Sequence, residues 1–208
     1  DKINETATNT YHALSESLIV SSGNDYTISL FAKADERDYL ILRSNLSGSN
    51  VNTTFDLNNG LVTYNGHTSS SIESFLNGWY RCTVTSSSTV SAVNLAFLPS
   101  INNVSDNNLP TYLGVAGSGL YIYGAQLEEG SYPTSYIPTS GSTVTRNQDI
   151  FTRDGIGSLI NSTEGVLFVE MAALADDSVA EGISISDGTT NNRVVIFKWN
   201  ASNTIRGR

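Results

Sequence analysis

Apolar and polar residues alternate along much of the first two-thirds of the chain. In 26–32, Tyr26, Ile28, Leu30 and Ala32 fall on one face, and Thr27, Ser29 and Phe31 on the other. A period of two is the mark of a half-buried β-strand. Further strands are expected at 39–43, 53–57, 61–64, 79–85, 90–98, 111–115 and 120–127. Between them stand residues that tolerate turn conformations: the polar stretch Ala34–Asp38, then Asn58-Asn59-Gly60, Asn65-Gly66 and Asn77-Gly78. Ile72–Leu76 is read as a single helical turn, and no convincing amphipathic helix is evident. Turn signals at this spacing predict an antiparallel β-sandwich.

The pattern changes at 124–146, GAQLEEGSYPTSYIPTSGSTVTR. It begins as the end of a strand and continues as an extended segment. Pro133 and Pro138 fix their own φ and disfavour helix at the residue before each. Tyr132 and Tyr136 can lay their rings on a neighbouring surface while the backbone stays extended. This divides the chain into a first domain (1–135), a linker rich in Thr, Ser, Gly and Asn (136–163), and a second unit (164–208). In the second unit strands are expected at 165–173, 183–186 and 193–199, with turns at Asp187-Gly188 and Asn191-Asn192. A segment of about 45 residues is too short to close a sandwich, so this half is read as incomplete. The chain begins abruptly at Asp1 and ends at Arg208 as a strand pattern develops, so it reads as a fragment of a longer protein.

Composition narrows the function classes. Hydrophobic residues are 39% of the 208 and charged residues only 15%, a balance suited to short strands joined by polar turns. The net charge is −9, from 11 basic and 20 acidic residues. With no basic run to neutralise phosphates, nucleic acid is not an expected partner. Acidity also disfavours anionic membranes and polymers, but leaves neutral glycans open. No apolar run approaches the ~18 residues that span a bilayer, so no membrane insertion is expected. Cys82 is the sole cysteine, which rules out an internal disulfide framework; in an apolar strand pattern it reads as a buried free thiol.

Catalytic signatures are weak. His12 and His67 are the only histidines, and neither sits in a nucleophile-elbow setting. His12 reads as a sheet-surface residue and His67 as a solvated loop residue. The acidic clusters Asp35-Glu36-Asp38, Glu128-Glu129 and Asp176-Asp177 sit at turns or strand ends, where charges are ordinarily solvated. A glycosidase would need two of them across one cleft. The glycines lack the strand-to-helix context of a phosphate loop. The chain is therefore not expected to be an enzyme.

Aromatic residues carry more chemistry. Sugar rings have apolar faces that stack on Trp and Tyr, while their hydroxyls bond Asn, Gln, Asp or Arg. Tyr121 and Tyr123 share one face of the 120–127 strand, ~7 Å apart. They can floor a sugar groove, line the sandwich interior, or meet Tyr132 and Tyr136. Tyr39, Arg43 and Asn45 fall on one face if their strand persists, as a sugar clamp or as ordinary cross-strand neighbours.

The segment at 124–146, together with YTISLFAKADERDYLILR (26–43), TFDLNNGLVTYNG (54–66) and NGWYRCTVT (77–85), resembles a join found in bacteriophage and prophage tail-fibre and other virion appendage proteins. There it closes a jelly-roll, carbohydrate-binding-module-like domain and leads into a concanavalin A-like (laminin G-like) sandwich. EGVLFVEMAALADD (164–177) and ISISDGTTNNRVVIFKW (183–199) resemble the opening strands of that second sandwich. The resemblance implies an all-β fold: an antiparallel jelly-roll β-sandwich followed by a second, incomplete β-sandwich. It implies a non-catalytic structural or adhesion module, virion-borne and extracellular, touching host-surface glycans or other virion proteins as a homo-oligomer, with a trimer as one form. The alternatives are a carbohydrate-binding module of a secreted polysaccharide-degrading enzyme, and a ligand-free spacer or capsid decoration. It places Trp79 in the core and Tyr80 on the more exposed face. No cofactor is implied beyond calcium, which such jelly rolls often hold; Asp106, Asp176, Asp177 and Asp187 are the candidate ligands.

Overall fold

The computed structural model describes residues 1–147, 152–161, 163–170, 181–198 and 205–207. The chain divides into two compact units, Asp1–Thr143 and Val144–Arg208. The strands of the first are β1 (Lys2–Asn4), β2 (Asn9–Thr10), β3 (Leu14–Ile19), β4 (Asp25–Ala34), β5 (Tyr39–Ser44), β6 (Val51–Asp56), β7 (Leu61–Asn65), β8 (Ser69–Ser74), β9 (Tyr80–Ser87), β10 (Ala92–Ser100), β11 (Tyr112–Leu113) and β12 (Gly119–Glu129). A front sheet runs β1-β12-β4-β9-β8 and a back sheet β3-β10-β5-β6-β7, both antiparallel throughout; β2 and β11 pair separately.

The two sheets form a β-sandwich around one core. From the front sheet come Ile28, Leu30 and Ala32 of β4, Cys82 and Val84 of β9, and Leu120 and Ile122 of β12; from the back sheet come Leu40 and Leu42 of β5, Phe55 of β6, and Val93, Leu95 and Phe97 of β10. Alternation selects these residues, and each fully buried aliphatic side chain adds about 1.5–3 kcal/mol. The expected all-β sandwich is thus observed. Turn chemistry sets the register: Asp56 Oδ1 accepts the Asn58 and Asn59 N–H groups, and Gly60 turns the chain at φ +66° into β7. Asn77 and Gly78, also at positive φ, make the bend before β9.

Four details depart from the reading above. Ile72 lies in strand β8, and the short 3-10 turn comes later, at Leu76–Gly78. The serine-rich SSSIES has little apolar signal, and pairing with β9 makes it a strand. Trp79 and Tyr80 are both half-buried, and it is Tyr80, paired with Ala32, that packs against the core. Both histidines are buried. His12 packs edge-on against Tyr112, centroids 5.1 Å apart. His67 lies between Ser44 Oγ (2.9 Å) and Thr53 Oγ1 (2.7 Å). Burial depresses its pKa to about 4.

Each sheet has its outer face partly covered by a loop. Residues 101–110 cross the back sheet, where their carbonyls accept from Thr54 (to Val104), Asn52 (to Asp106 and Asn108) and Arg43 (to Asn107). Ile41 and Leu98, which alternate away from the core, are fully buried on that covered face. Residues 130–137 form a strap across the front sheet. At one end of the sandwich Glu5 is buried with Arg37 as an ion pair. The Glu5 carboxylate also accepts the Tyr112 hydroxyl (2.6 Å) and the Val115 N–H (3.0 Å). Burial opposes its ionisation; the Arg37 guanidinium and the other donors outweigh that and hold Glu5 at about 2.

In the second unit β13 (Glu181–Ser186), β14 (Arg193–Lys198) and β15 (Ile205–Gly207) form an antiparallel sheet. Asp187 caps the intervening turn by accepting from Thr189 and Asn192. Residues 165–170 of the segment expected as a strand have no strand pairing, and 171–173 and Trp199 lie outside the described residues.

Candidate functional site

The outer face of the front sheet is built by alternation. Residues of β4 that point away from the core (Thr27, Ser29, Phe31, Lys33) meet Thr85, Thr83 and Arg81 of β9 on one side. On the other they meet Glu128, Gln126, Tyr123 and Tyr121 of β12. Between Tyr123 and Gln126 the register slips by one residue. This bulge is centred on Gly124 at φ +62°, a conformation glycine adopts without the steric cost of a Cβ.

The strap lies on this face. Thr27 Oγ1 donates to Gly130 O (2.8 Å), Arg81 Nη2 donates to Thr134 O, and the Ile137 N–H donates to Gln126 Oε1 (2.9 Å). Glu128 accepts the Thr134 N–H at 3.1 Å. Thr27, Ser29, Thr83 and Thr85, polar residues on the outside of a sheet, are therefore buried. Beneath the strap the buried Nε of Arg81 and Nε2 of Gln126 have no hydrogen-bond partner among the described residues, two donors in need of an acceptor.

Above the strap the face is aromatic. Phe31 meets Phe75 edge-on at 5.1 Å and Tyr123 at 6.3 Å, and Tyr123 meets Tyr136 at 5.3 Å. Tyr121 continues the row, with Lys2 Nζ 5.7 Å from its ring centroid. Lys2 is held there by Asp35 (2.7 Å) and Glu36 (2.6 Å). Tyr121 is 37% exposed, Tyr123 58% and Phe75 44%. Of the three placements open to Tyr121 and Tyr123, the interior is thus excluded. They face outward, with Tyr123 also against the strap.

The remaining candidates lie elsewhere. Tyr39, Arg43 and Asn45 belong to the back sheet or its margin and are all half-buried. Arg43 Nη1 is tied to Asn52 Oδ1 (2.7 Å) and Asn107 O (2.8 Å), and Asn45 Oδ1 accepts the Asn94 N–H (2.7 Å). Their polar ends serve the back-sheet loop and strand edge. Asp106 accepts from Asn108 through both oxygens. Asp187 is likewise occupied in its turn, and Asp176 and Asp177 lie outside the described residues. Among the described residues no cluster of three or more metal-ligating side chains occurs.

Phe75 and Tyr136 were not singled out as site residues in the sequence. Alternation already put Phe31 beside the tyrosines, but Phe75 arrives through the bend at Asn77-Gly78 and Tyr136 through the strap. No protein-family model matches the chain, and no curated protein matches it significantly.

Proposed function

We propose that this chain is a non-catalytic recognition module of a bacteriophage appendage, such as a tail fibre, and that the aromatic face of its front sheet contacts neutral glycans on the host surface. The observation that carries the reading is the exposure of Tyr121 and Tyr123 side by side on a rigid strand. Sugar rings stack their C–H faces on such rings, and strand-mounted aromatics lose little freedom on binding. Lys2 and Lys33 flank the face and can donate to sugar hydroxyls. The net charge of −9 favours uncharged glycans over anionic ones. The phage setting is supported by the resemblance of the 124–146 segment. The non-catalytic reading is supported by the use of both histidines and of Glu5 inside the fold.

A glycan array tests the proposal. The chain is expected to retain neutral bacterial surface polysaccharides and to leave their chain length unchanged on prolonged incubation. An array with no retained glycan would favour the ligand-free spacer, and shortened chains would favour an enzyme.

A further inference from the structure

We propose that the groove between β8, β9 and the strap is a second sugar subsite, taking one neutral sugar ring. The inference rests on the glycan reading above and adds a position to it. The groove is open to solvent on one side, holds about 290 Å³, and is lined by Ser69, Ser71, Thr83 and Thr85 on the sheet side and by Tyr132 and Pro133 on the strap side. Its volume sits at the lower end of small-molecule sites, roughly 300 Å³ and upward, which suits a single ring.

The lining chemistry selects the ligand class. No lining side chain carries a charge, so a phosphate, a carboxylate or an ammonium group would lose its water without gaining a counter-charge. Among the described residues the hydroxyls of Ser69, Ser71 and Thr83 make no hydrogen bond within the protein, while Thr85 shares one with Thr27 at 2.9 Å. A hydroxyl both donates and accepts, and a sugar ring presents a matching set of hydroxyls. The Tyr132 ring and Pro133 supply the apolar wall that its C–H face requires.

Both walls are fixed before a ligand arrives. Ser69 and Ser71 are held in register against Thr85 and Thr83. The strap is held by its bonds to Thr27, Arg81 and Glu128. Little ordering cost remains to be met on binding.

The test is amide chemical-shift mapping of the full chain with cello-, malto-, manno- and galacto-oligosaccharides. One series is expected to perturb Ser69, Ser71, Thr83 and Tyr132. Tyr132→Ala and the exposed-site double variant Ser69→Ala/Ser71→Ala should each weaken that response about tenfold. The double variant leaves the strap untouched and guards against a folding artefact in Tyr132→Ala. A sugar that perturbs only Tyr121 and Tyr123, with unchanged affinity in the double variant, overturns the subsite and leaves the glycan reading standing. A chain that responds at neither place overturns both.

Discussion

The ring of Tyr136 packs on that of Tyr123, centroids 5.3 Å apart, directly over the glycine of the β12 bulge. A Cβ at Gly124 would come within 3.2 Å of the Tyr136 ring, and the residue sits at φ +62°. Gly124→Ala therefore meets both a strained backbone and a displaced ring. It is expected to lower stability by about 1–3 kcal/mol in urea unfolding and to speed proteolysis within 130–143. An unchanged midpoint and cleavage rate would mean that the strap is not docked on the bulge.

Glu5 and Arg37 tie the β1–β2 connection to the β4–β5 turn. Removing one partner leaves the other charged and buried, so Glu5→Ala should cost about 3–5 kcal/mol. A double variant, Glu5→Leu/Arg37→Leu, should recover most of that loss. A double-variant loss equal to the sum of the losses in Glu5→Leu and Arg37→Leu alone would show that the pair is not coupled.

Acid should weaken the fold in two stages. His67 titrates near 4 in the folded protein and near its ordinary 6.5 when unfolded. Between those values the unfolded chain holds a proton that the folded chain lacks, so stability falls as pH drops from 6.5 toward 4, by at most about 3 kcal/mol. Glu5, folded near 2 against an ordinary 4.5, is ionised in the folded state and protonated in the unfolded one below that value. Its contribution is lost from 4.5 downward. His67→Gln should flatten the upper stage of a Tm–pH profile and leave the lower one intact.

Cys82 reports on opening of the sandwich. Its side chain is fully buried, and burial raises the thiol pKa. A thiol reagent should fail to label the native chain and label it fully in denaturant. Rapid labelling under native conditions would contradict the packing of β9.

Much of this architecture was legible in the alternation, and the rest depended on contacts distant in sequence. Tyr26–Ala32 announced its two faces, and the placement of Tyr121 opposite Leu120 and Ile122 needed only a period of two. The bends at Asn58-Asn59-Gly60 and Asn77-Gly78 were read from residues that accept positive φ. By contrast, His67 follows a turn and reads as solvated; its burial depends on Ser44 and Thr53, which lie 23 and 14 residues away. Arg43 reads as a sugar clamp or as an ordinary cross-strand neighbour, and the sequence does not decide between them because Asn107, which holds it, is 64 residues away. The tyrosines of the strap read as able to lay their rings on a neighbouring surface, but local composition does not say which one. The hydroxyl of Thr27, the side chains of Arg81, Gln126 and Glu128 and the ring of Tyr123 bring the strap back onto the sheet.

The most direct test of the account compares the intact chain with a Tyr121→Ala/Tyr123→Ala variant for calorimetric binding to the neutral host polysaccharide that the chain retains best. Tyr123 also packs on Phe31 and Tyr136, so the variant is expected to lose about 1–2 kcal/mol of stability, and its binding is compared under conditions where urea unfolding shows it still folded. A loss of affinity of tenfold or more is expected, on the order of two stacking contacts. Undiminished binding by a folded double variant would contradict the claim that this aromatic face is where the glycan sits.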